Sequence, residues 1–509
     1  MLQTAVAGAG AALGPWAELF AQTAGALSRA PKQALVIGIG RYKQSPLKNP
    51  VNDARGMAAA LKSTGFNVTL GLELTQANLR EAINAYGESL IKAKAVGLFY
   101  FAGHGVQLDW RNYLIPVDAE ILSIEQLRAR AIDVNTLIEG IRKAGNPMNI
   151  IILDACRDNP FAGEARVEQR GLAQLDAPPG TLLAYATSPG NTANDGEGDN
   201  GLYTEHLLRE IRVPETKVED VFKRVRLGVR RRSNGQQIPW ESTSLEEDFW
   251  FLPPKQVNLA ESAKRELNQE MALWDKVKGS SDPRPLENYL IRYSSGHFSE
   301  LAQLRLDQAL VRQGEKKIRI ASTPQNPYSR GTAVADINRK VGDSYTYGTM
   351  DLGTKEERTR FTRTITRVTD KEVVYDDGLI TDLLGNLLRY PAGQRAAGTQ
   401  FWAVEYAIGK RWRTLEDTTG RSGALLKTDR DVRVVARERI AVPAGVFEAF
   451  VLEVRGSSSG GRKFNELQSR RWIAPDRVRS VLVIETVRQD RTGRVVPTDR
   501  RELVAYRQF

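Results

Sequence analysis

Two residues of this sequence have the side chains and surroundings that nucleophilic chemistry needs. They are His104, in Ala102-Gly103-His104-Gly105, and the single cysteine of the chain, Cys156, in Asp154-Ala155-Cys156-Arg157-Asp158. A cysteine hydrolase needs a thiolate nucleophile, an imidazole within reach to carry the proton, and backbone N–H groups to hold a developing oxyanion. All three parts can be assigned: Cys156 as nucleophile, His104 as general base, and the N–H groups of Gly105 and Cys156 as oxyanion donors, with glycine letting a substrate backbone approach. Taken singly, a cysteine after an apolar run is more often a small buried hydrophobe, and a lone histidine a structural hydrogen-bonder. Context joins these two, because each follows directly on a short apolar run rich in β-formers, residues 96–101 and 150–153. Parallel strands there would deliver both groups to the same sheet edge, where open α/β sheets bind their ligands.

The elements that must position this pair are legible as an alternation. Residues 34–39, 96–101, 150–153 and 181–185 read as buried parallel strands. Between them, residues 52–64 begin with Asn-Asp capping chemistry, place Met57, Ala60 and Leu61 on one face and stop at Gly65, and residues 79–93 and 134–143 read likewise as helices. The expectation is an α/β/α sandwich with a mainly parallel sheet. Pro253-Pro254 closes that block. Residues 259–313 follow as helical stretches with Trp274, Leu286, Tyr289 and Leu304 among their apolar points, and their turn at 293–302 is similar to the closing helix pair of tetratricopeptide-like repeats. Beyond about residue 341 the texture becomes alternating strands, for example 361–368, 432–435 and 481–485, with turn chemistry at Asp376-Asp377-Gly378 and 457–461. The predicted organisation is therefore 1–31 as an export-signal remnant and linker, 32–254 as the α/β domain, 255–322 as a helical repeat-like segment, and 323–509 as an antiparallel β-rich domain. With no cluster of cysteine, histidine or paired acids, the β domain reads as a binding module, in texture a curved half-barrel for an apolar ligand.

Composition narrows the function. With one cysteine and three histidines in 509 residues, neither an intramolecular disulfide nor a soft-ligand zinc spacing can be written, and metal chemistry would need carboxylates alone; no metal and no cofactor is expected. The net charge of +11 is spread along the chain. Its one dense basic run, 223–232, alternates with Val225 and Val229 at helical spacing and reads as the solvated face of an amphipathic helix; no aromatic residues interleave to stack bases, and no nucleic-acid partner is expected. No stretch offers the ~20 apolar residues that span a bilayer. Residues 1–14 are apolar and small and are followed by Ala21-Gln22-Thr23-Ala24-Gly25-Ala26, which resembles an export signal without its basic start. The expected location is periplasmic or secreted, with a cytoplasmic protein as the alternative. His206 and His297 sit in helix-like stretches and read as structural.

Gly103-His104-Gly105 followed about fifty residues later by Asp154-Ala155-Cys156-Arg157 resembles the caspase and metacaspase superfamily. The resemblance spans roughly residues 32–252 and includes Asn52-Asp53-Ala54 and Ile238-Pro239-Trp240-Glu241, both similar to bacterial caspase-like proteins. It implies a caspase-like fold and a cysteine endopeptidase with His104 as base and Cys156 as nucleophile, acting on a protein or peptide substrate. Caspases carry Gln two positions before the cysteine and Gly after the arginine, where this chain has Asp154 and Asp158. In the family, the residue two before the nucleophile lines the pocket for the side chain preceding the scissile bond. An acid there favours a cation. Metacaspases resemble this chain in having acids at positions like Asp53 and Asp154, and they cut after Arg or Lys; the small polar residue they carry two before the histidine is Ala102 here. Asp53 and Asp154 are thus expected to bind a basic substrate side chain. The blander readings are helix capping by Asp53 and loop N–H satisfaction by Asp154. Of the acids that bind calcium in many metacaspases only Asp118 and Asp133 have candidates here, and the Asp195-Gly196-Glu197-Gly198-Asp199 loop reads as ordinary acidic loop, so no calcium requirement is expected. The alternatives to an enzyme are a non-catalytic caspase-fold interaction module, or an envelope-binding protein whose β domain is the active part. In either case the helical and β-rich regions would engage a protein or envelope ligand. Basic specificity makes Arg166 and Arg170, in the polar stretch after Cys156, self-cleavage points. Intact-mass measurement of wild type beside Cys156→Ala should show nicking in wild type alone, and unbroken chains in both would reject it.

Overall fold

A computed structural model describes residues 27, 30–156, 171–189, 198–245, 247–254, 259–315, 325–394, 396–397, 400–419, 425–460, 463–489 and 495–509. The export-like residues 1–26, the cleavage candidates Arg166 and Arg170, and Asp195 and Glu197 lie outside these described residues. The first sheet and its helices are, in chain order, β1 (Lys32–Gly38), α1 (Pro50–Ser63), β2 (Asn67–Leu72), α2 (Gln76–Ala93), β3 (Val96–Leu108), β4 (Arg111–Leu114), α3 (Ile124–Arg130), β5 (Ile132–Asp133), α4 (Val134–Ala144), β6 (Asn149–Cys156), β7 (Thr181–Tyr185), α5 (Leu202–Glu210), α6 (Val218–Arg232) and β8 (Trp240–Thr243). The strand order is β2-β1-β3-β6-β7-β8. The first five of these run parallel, β8 closes one edge antiparallel, and β4 folds back antiparallel on β3.

Period-two alternation sorts the strand residues between two helical layers. Leu35, Ile37, Phe99, Phe101, Ile151 and Leu153 pack with Leu79, Ile83 and Leu90 of α2 and Leu137 and Ile141 of α4. Val36, Leu98, Tyr100, Ile150 and Ile152 pack with Met57 and Leu61 of α1, Leu207 of α5, and Val221, Phe222 and Val225 of α6. Burial on both faces is why these strands read as unbroken apolar runs.

The basic run of α6 departs from the expectation of a solvated face. Its apolar residues are buried as predicted, but Arg226 reaches Glu241 of β8 at 2.6 Å. Arg230, only 12% exposed, pairs with Asp307 at 2.7 Å and Glu315 at 2.5 Å. The next three helices, α7 (Leu259–Val277), α8 (Pro283–Arg292) and α9 (Ser299–Arg312), explain this. They build their own small core, in which Trp274 stacks on Phe298 with ring centroids 5.3 Å apart, and they present acids to α6. Charge patterning along one helix cannot reveal that its polar face meets another element.

Among the described residues the remaining chain forms a twelve-stranded antiparallel sheet whose strand path is open at both ends, beside a two-stranded pair. Its longest pairing joins Leu425–Val442 to Gly445–Gly460. The β-rich domain is also tied to the first sheet: a Cβ placed on Gly409 would lie 1.5 Å from the Thr243 carbonyl oxygen at the end of edge strand β8, and φ there is +88°. Among the described residues no helix is long and apolar enough to cross a membrane. Gly409→Ala should therefore lower the thermal unfolding midpoint by far more than Gly393→Ala, which shares φ +88° but has nothing within 4 Å of its Cβ position. The control isolates backbone strain of about 1 kcal/mol, and equal shifts for the two variants would show that the Gly409 contact contributes nothing.

Candidate functional site

The site is built by the register of β3 and β6. Ala102 lies opposite Asp154, and the next pair is Gly105 opposite Cys156, so Gly103 and His104 face the single residue Ala155. This slip is a bulge, a device that re-aims a side chain within a ladder. The sequence read β3 as ending at residue 101, whereas the strand continues to Leu108 because β4 pairs with its far half, Gly105 opposite Leu114, and Ile115 N–H donates to the His104 carbonyl at 3.1 Å. Both glycines flanking His104 answer to their own neighbours: a Cβ at Gly103 would stand 2.6 Å from the Tyr42 hydroxyl, and one at Gly105 2.8 Å from the Ala155 carbonyl. Packing inside the fold requires them, beyond the access for substrate that the sequence suggested.

His104 is 3% exposed. Its ring lies 4.5 Å from that of Tyr42. The Tyr42 hydroxyl accepts from the His104 backbone N–H at 2.9 Å and donates to the Ile115 carbonyl at 3.1 Å, which fixes the bulge. The imidazole Nε2 is 2.7 Å from the Ser45 carbonyl. A carbonyl only accepts, so Nε2 carries the proton and Nδ1 is the basic nitrogen of the neutral ring. Ser45 itself sits at φ +54°, left-handed backbone that a non-glycine residue rarely adopts. Tyr42 and Ser45 were missed from sequence: they lie in the irregular segment between β1 and α1, where no periodicity marks them.

Asp53 and Asp154 converge on the first turn of α5. Asp53 Oδ1 accepts from the Gly201 N–H at 3.0 Å and from Asn200 Nδ2 at 2.9 Å. Asp154 Oδ2 accepts from Thr204 Oγ1 at 2.8 Å. Thr204 has one proton and gives it to Asp154, so the Tyr100 hydroxyl, 2.7 Å from Thr204 Oγ1, donates to it. Burial, then the charge of Asp154 and then that of Asp53, push the Tyr100 hydroxyl well above its usual range and keep it a donor. The acids are 2% and 7% exposed, and the helix N-terminus beside them favours negative charge. Asp53 does cap a helix, but it is α5 that it caps and not the helix α1 in which it resides.

The other singled-out residues stand apart. Asp133 caps α4 and pairs with Arg111 at 2.6 Å, Asp118 accepts from the Gln76 N–H at 2.9 Å, and Asp199 is exposed. His206 is packed against Gly228, accepts from Arg209 at 2.8 Å, and is pushed down in pKa by burial and then by Arg209. His297 Nδ1 meets the buried Glu270 at 2.9 Å.

Residues 31–250 match the caspase domain family model. Over 234 residues the chain is 27% identical to human mucosa-associated lymphoid tissue lymphoma translocation protein 1, and over 213 residues 27% identical to a probable protease of a Desulfuromonadales bacterium. These alignments cover 44% and 35% of this chain. The chain spans only about a quarter of the length of these curated relatives, 27% and 26% respectively. The crystal structure of the Drosophila initiator caspase Dronc aligns with 45% of this chain and 84% of its own, at 12% identity and a TM-score of 0.33. Residues 31–250 therefore form a caspase-like domain within this chain.

Thr204→Val would leave the buried Asp154 carboxylate and the Tyr100 hydroxyl without their shared partner. A loss of about 1–3 kcal/mol, read as a lower thermal midpoint, is the expected result, with Thr204→Ser close to wild type. Equal midpoints for Val and Ser would show that the bond contributes nothing.

Proposed function

We propose that this protein is a cysteine endopeptidase that uses His104 and Cys156 and cleaves after Arg or Lys. The observation that carries the reading is the bulged register, which seats Cys156 across from Gly105, next to an imidazole whose Nε2 is committed to the Ser45 carbonyl. Neighbouring strands lie about 4.8 Å apart, so the two backbones are within side-chain reach. In the proposed reaction Nδ1 of His104 takes the thiol proton, and the Cys156 thiolate adds to the scissile carbonyl. The N–H groups of Gly105 and Cys156 hold the oxyanion, and the imidazolium returns its proton to the leaving amine. Water, deprotonated by His104, then hydrolyses the thioester. The bond to Ser45 stabilises the imidazolium and keeps Nδ1 as the nitrogen that exchanges protons.

Asp53 of α1 and Asp154 of β6, both hydrogen-bonded to the N-terminal end of α5, are the proposed acids for a basic side chain. An Arg guanidinium offers five donors in a planar fork and matches such a pair bidentately. Protein or peptide chains are the proposed substrates, and the apolar, small-residue opening of the chain supports export as the proposed location.

Matched fluorogenic peptides ending in Arg, Lys and Asp test the reading. Wild type should cleave the first two and leave the third; Cys156→Ala and His104→Ala should lose activity to background. Asp154→Asn should lower kcat/KM for Arg peptides by about 100-fold, the scale of a lost buried charge pair. Preference for Asp would overturn the specificity. Full activity in Cys156→Ala, or iodoacetamide modification of Cys156 no faster than of an unactivated thiol, would overturn the chemistry.

A further inference from the structure

Outside the caspase-like domain, one face of the β-rich sheet carries two arginines that form no ion pair with an acid among the described residues. The register places Val434, Leu452, Arg471, Ile484, Arg501 and Thr349 opposite one another on successive strands, and hence on the same face. Arg471 is the inner one. Its guanidinium carbon lies 3.8 Å from the Phe401 ring centroid and 5.7 Å from that of Trp402. Its Nε is buried with no hydrogen-bond partner among the described residues. Arg501, exposed, lies over Phe361 at 5.4 Å, and its Nε donates to the Thr349 hydroxyl at 3.3 Å.

Five other arginines of this domain are compensated: Arg358, Arg411, Arg413, Arg479 and Arg500 each reach an aspartate or glutamate within 2.7 Å. The acid nearest in charge to Arg471, Glu416, already pairs with Arg430 at 2.8 Å and accepts from the Tyr390 hydroxyl at 2.6 Å. Burial, together with the like charge of Arg430, pushes the Arg471 guanidinium down, and the partial burial of the Arg501 guanidinium, whose side chain is exposed overall, acts with the like charge of Arg363 in the same direction. A cation desolvated among cations gains most from a bound anion, and stacking on Phe401 orients its fork in advance.

We propose that this row is a binding site for an oxyanion, a carboxylate or phosphate group, with Arg471 as inner and Arg501 as outer anchor and with Phe401, Trp402 and Phe361 as its aromatic walls. Such an anion is either free or the head of an apolar molecule. The site is independent of the peptidase reading.

Calorimetric titration of the full chain with inorganic phosphate, decanoate, decyl phosphate and neutral decyl maltoside, all below micelle-forming concentrations, tests it. Saturable binding of at least one anion is expected, with no binding of the maltoside. Equal affinity for inorganic and decyl phosphate assigns a free oxyanion, and tighter binding of decyl phosphate assigns an anionic head on an apolar body. Arg471→Gln should weaken binding about tenfold or more and Arg501→Gln less, since bonds to charged groups contribute about 1.5–3 kcal/mol. Arg455→Gln, on an exposed side chain one position on from Val454 and hence on the opposite face, should bind as wild type. Trp402→Phe should remove the ligand-induced change in tryptophan emission. Arg471→Lys, which keeps the charge and loses the fork, separates lost binding from lost folding. No saturable anion binding, maltoside binding as tight as decyl phosphate, or wild-type affinity in Arg471→Gln and Arg501→Gln would overturn the proposal.

Discussion

The parallel pairing of β3 with β6 is the interaction on which the rest of the site depends. Six consecutive residues from Gly97 to Ala102 match Asn149 to Asp154 without a break, and apolar side chains from both strands are buried on both faces. That ladder leaves no freedom in where the two strand ends arrive. The slip that follows it is equally constrained, because Tyr42 holds the His104 N–H and β4 holds the His104 carbonyl. The catalytic proposal thus rests on a rigid scaffold in which the imidazole is aimed by backbone partners on two sides.

A second constraint joins the three parts of the chain. Arg226 and Arg230, one turn apart on α6, hold Glu241 on the edge strand and Asp307 and Glu315 at the end of the helical segment. Lys410 of the β-rich domain pairs with Glu300 of α9 at 2.8 Å, and Gly409 beside it packs on β8. The edge of the first sheet is therefore covered by the chain's own C-terminal part, one of the ways folded proteins keep an edge strand from pairing elsewhere. Trp240, on that edge strand, packs against Tyr185 at the end of β7 with ring centroids 5.8 Å apart, so the covered edge and the carboxyl ends of the strands are in mechanical contact.

Sequence reading succeeded where the physics is local. Strands buried on both faces must be continuous apolar runs, so β1, β3, β6 and β7 were visible, and amphipathic spacing with capping residues marked α1, α2 and α4. His104, Cys156, Asp53 and Asp154 were nameable because rare side chains stood directly after such runs or in motifs resembling a known superfamily. Tyr42 and Ser45 were not, since a hydroxyl and a backbone carbonyl in an irregular segment carry no pattern until the fold brings them to the imidazole. The basic face of α6 misled for a related reason: a row of arginines looks the same whether it meets water or the acids of another element.

By itself, then, the sequence determined the layer architecture of the first domain and the chemical types at its strand ends, because hydrophobic periodicity and residue identity are properties of the chain. Tertiary structure alone decided that Cys156 registers with Gly105 after a one-residue slip, that both aspartates share the first turn of α5, and that Arg471 and Arg501 fall in one row. Register and long-range pairing join residues 30 to about 150 positions apart, and they are settled by the packing of whole elements. No short window of sequence contains that information.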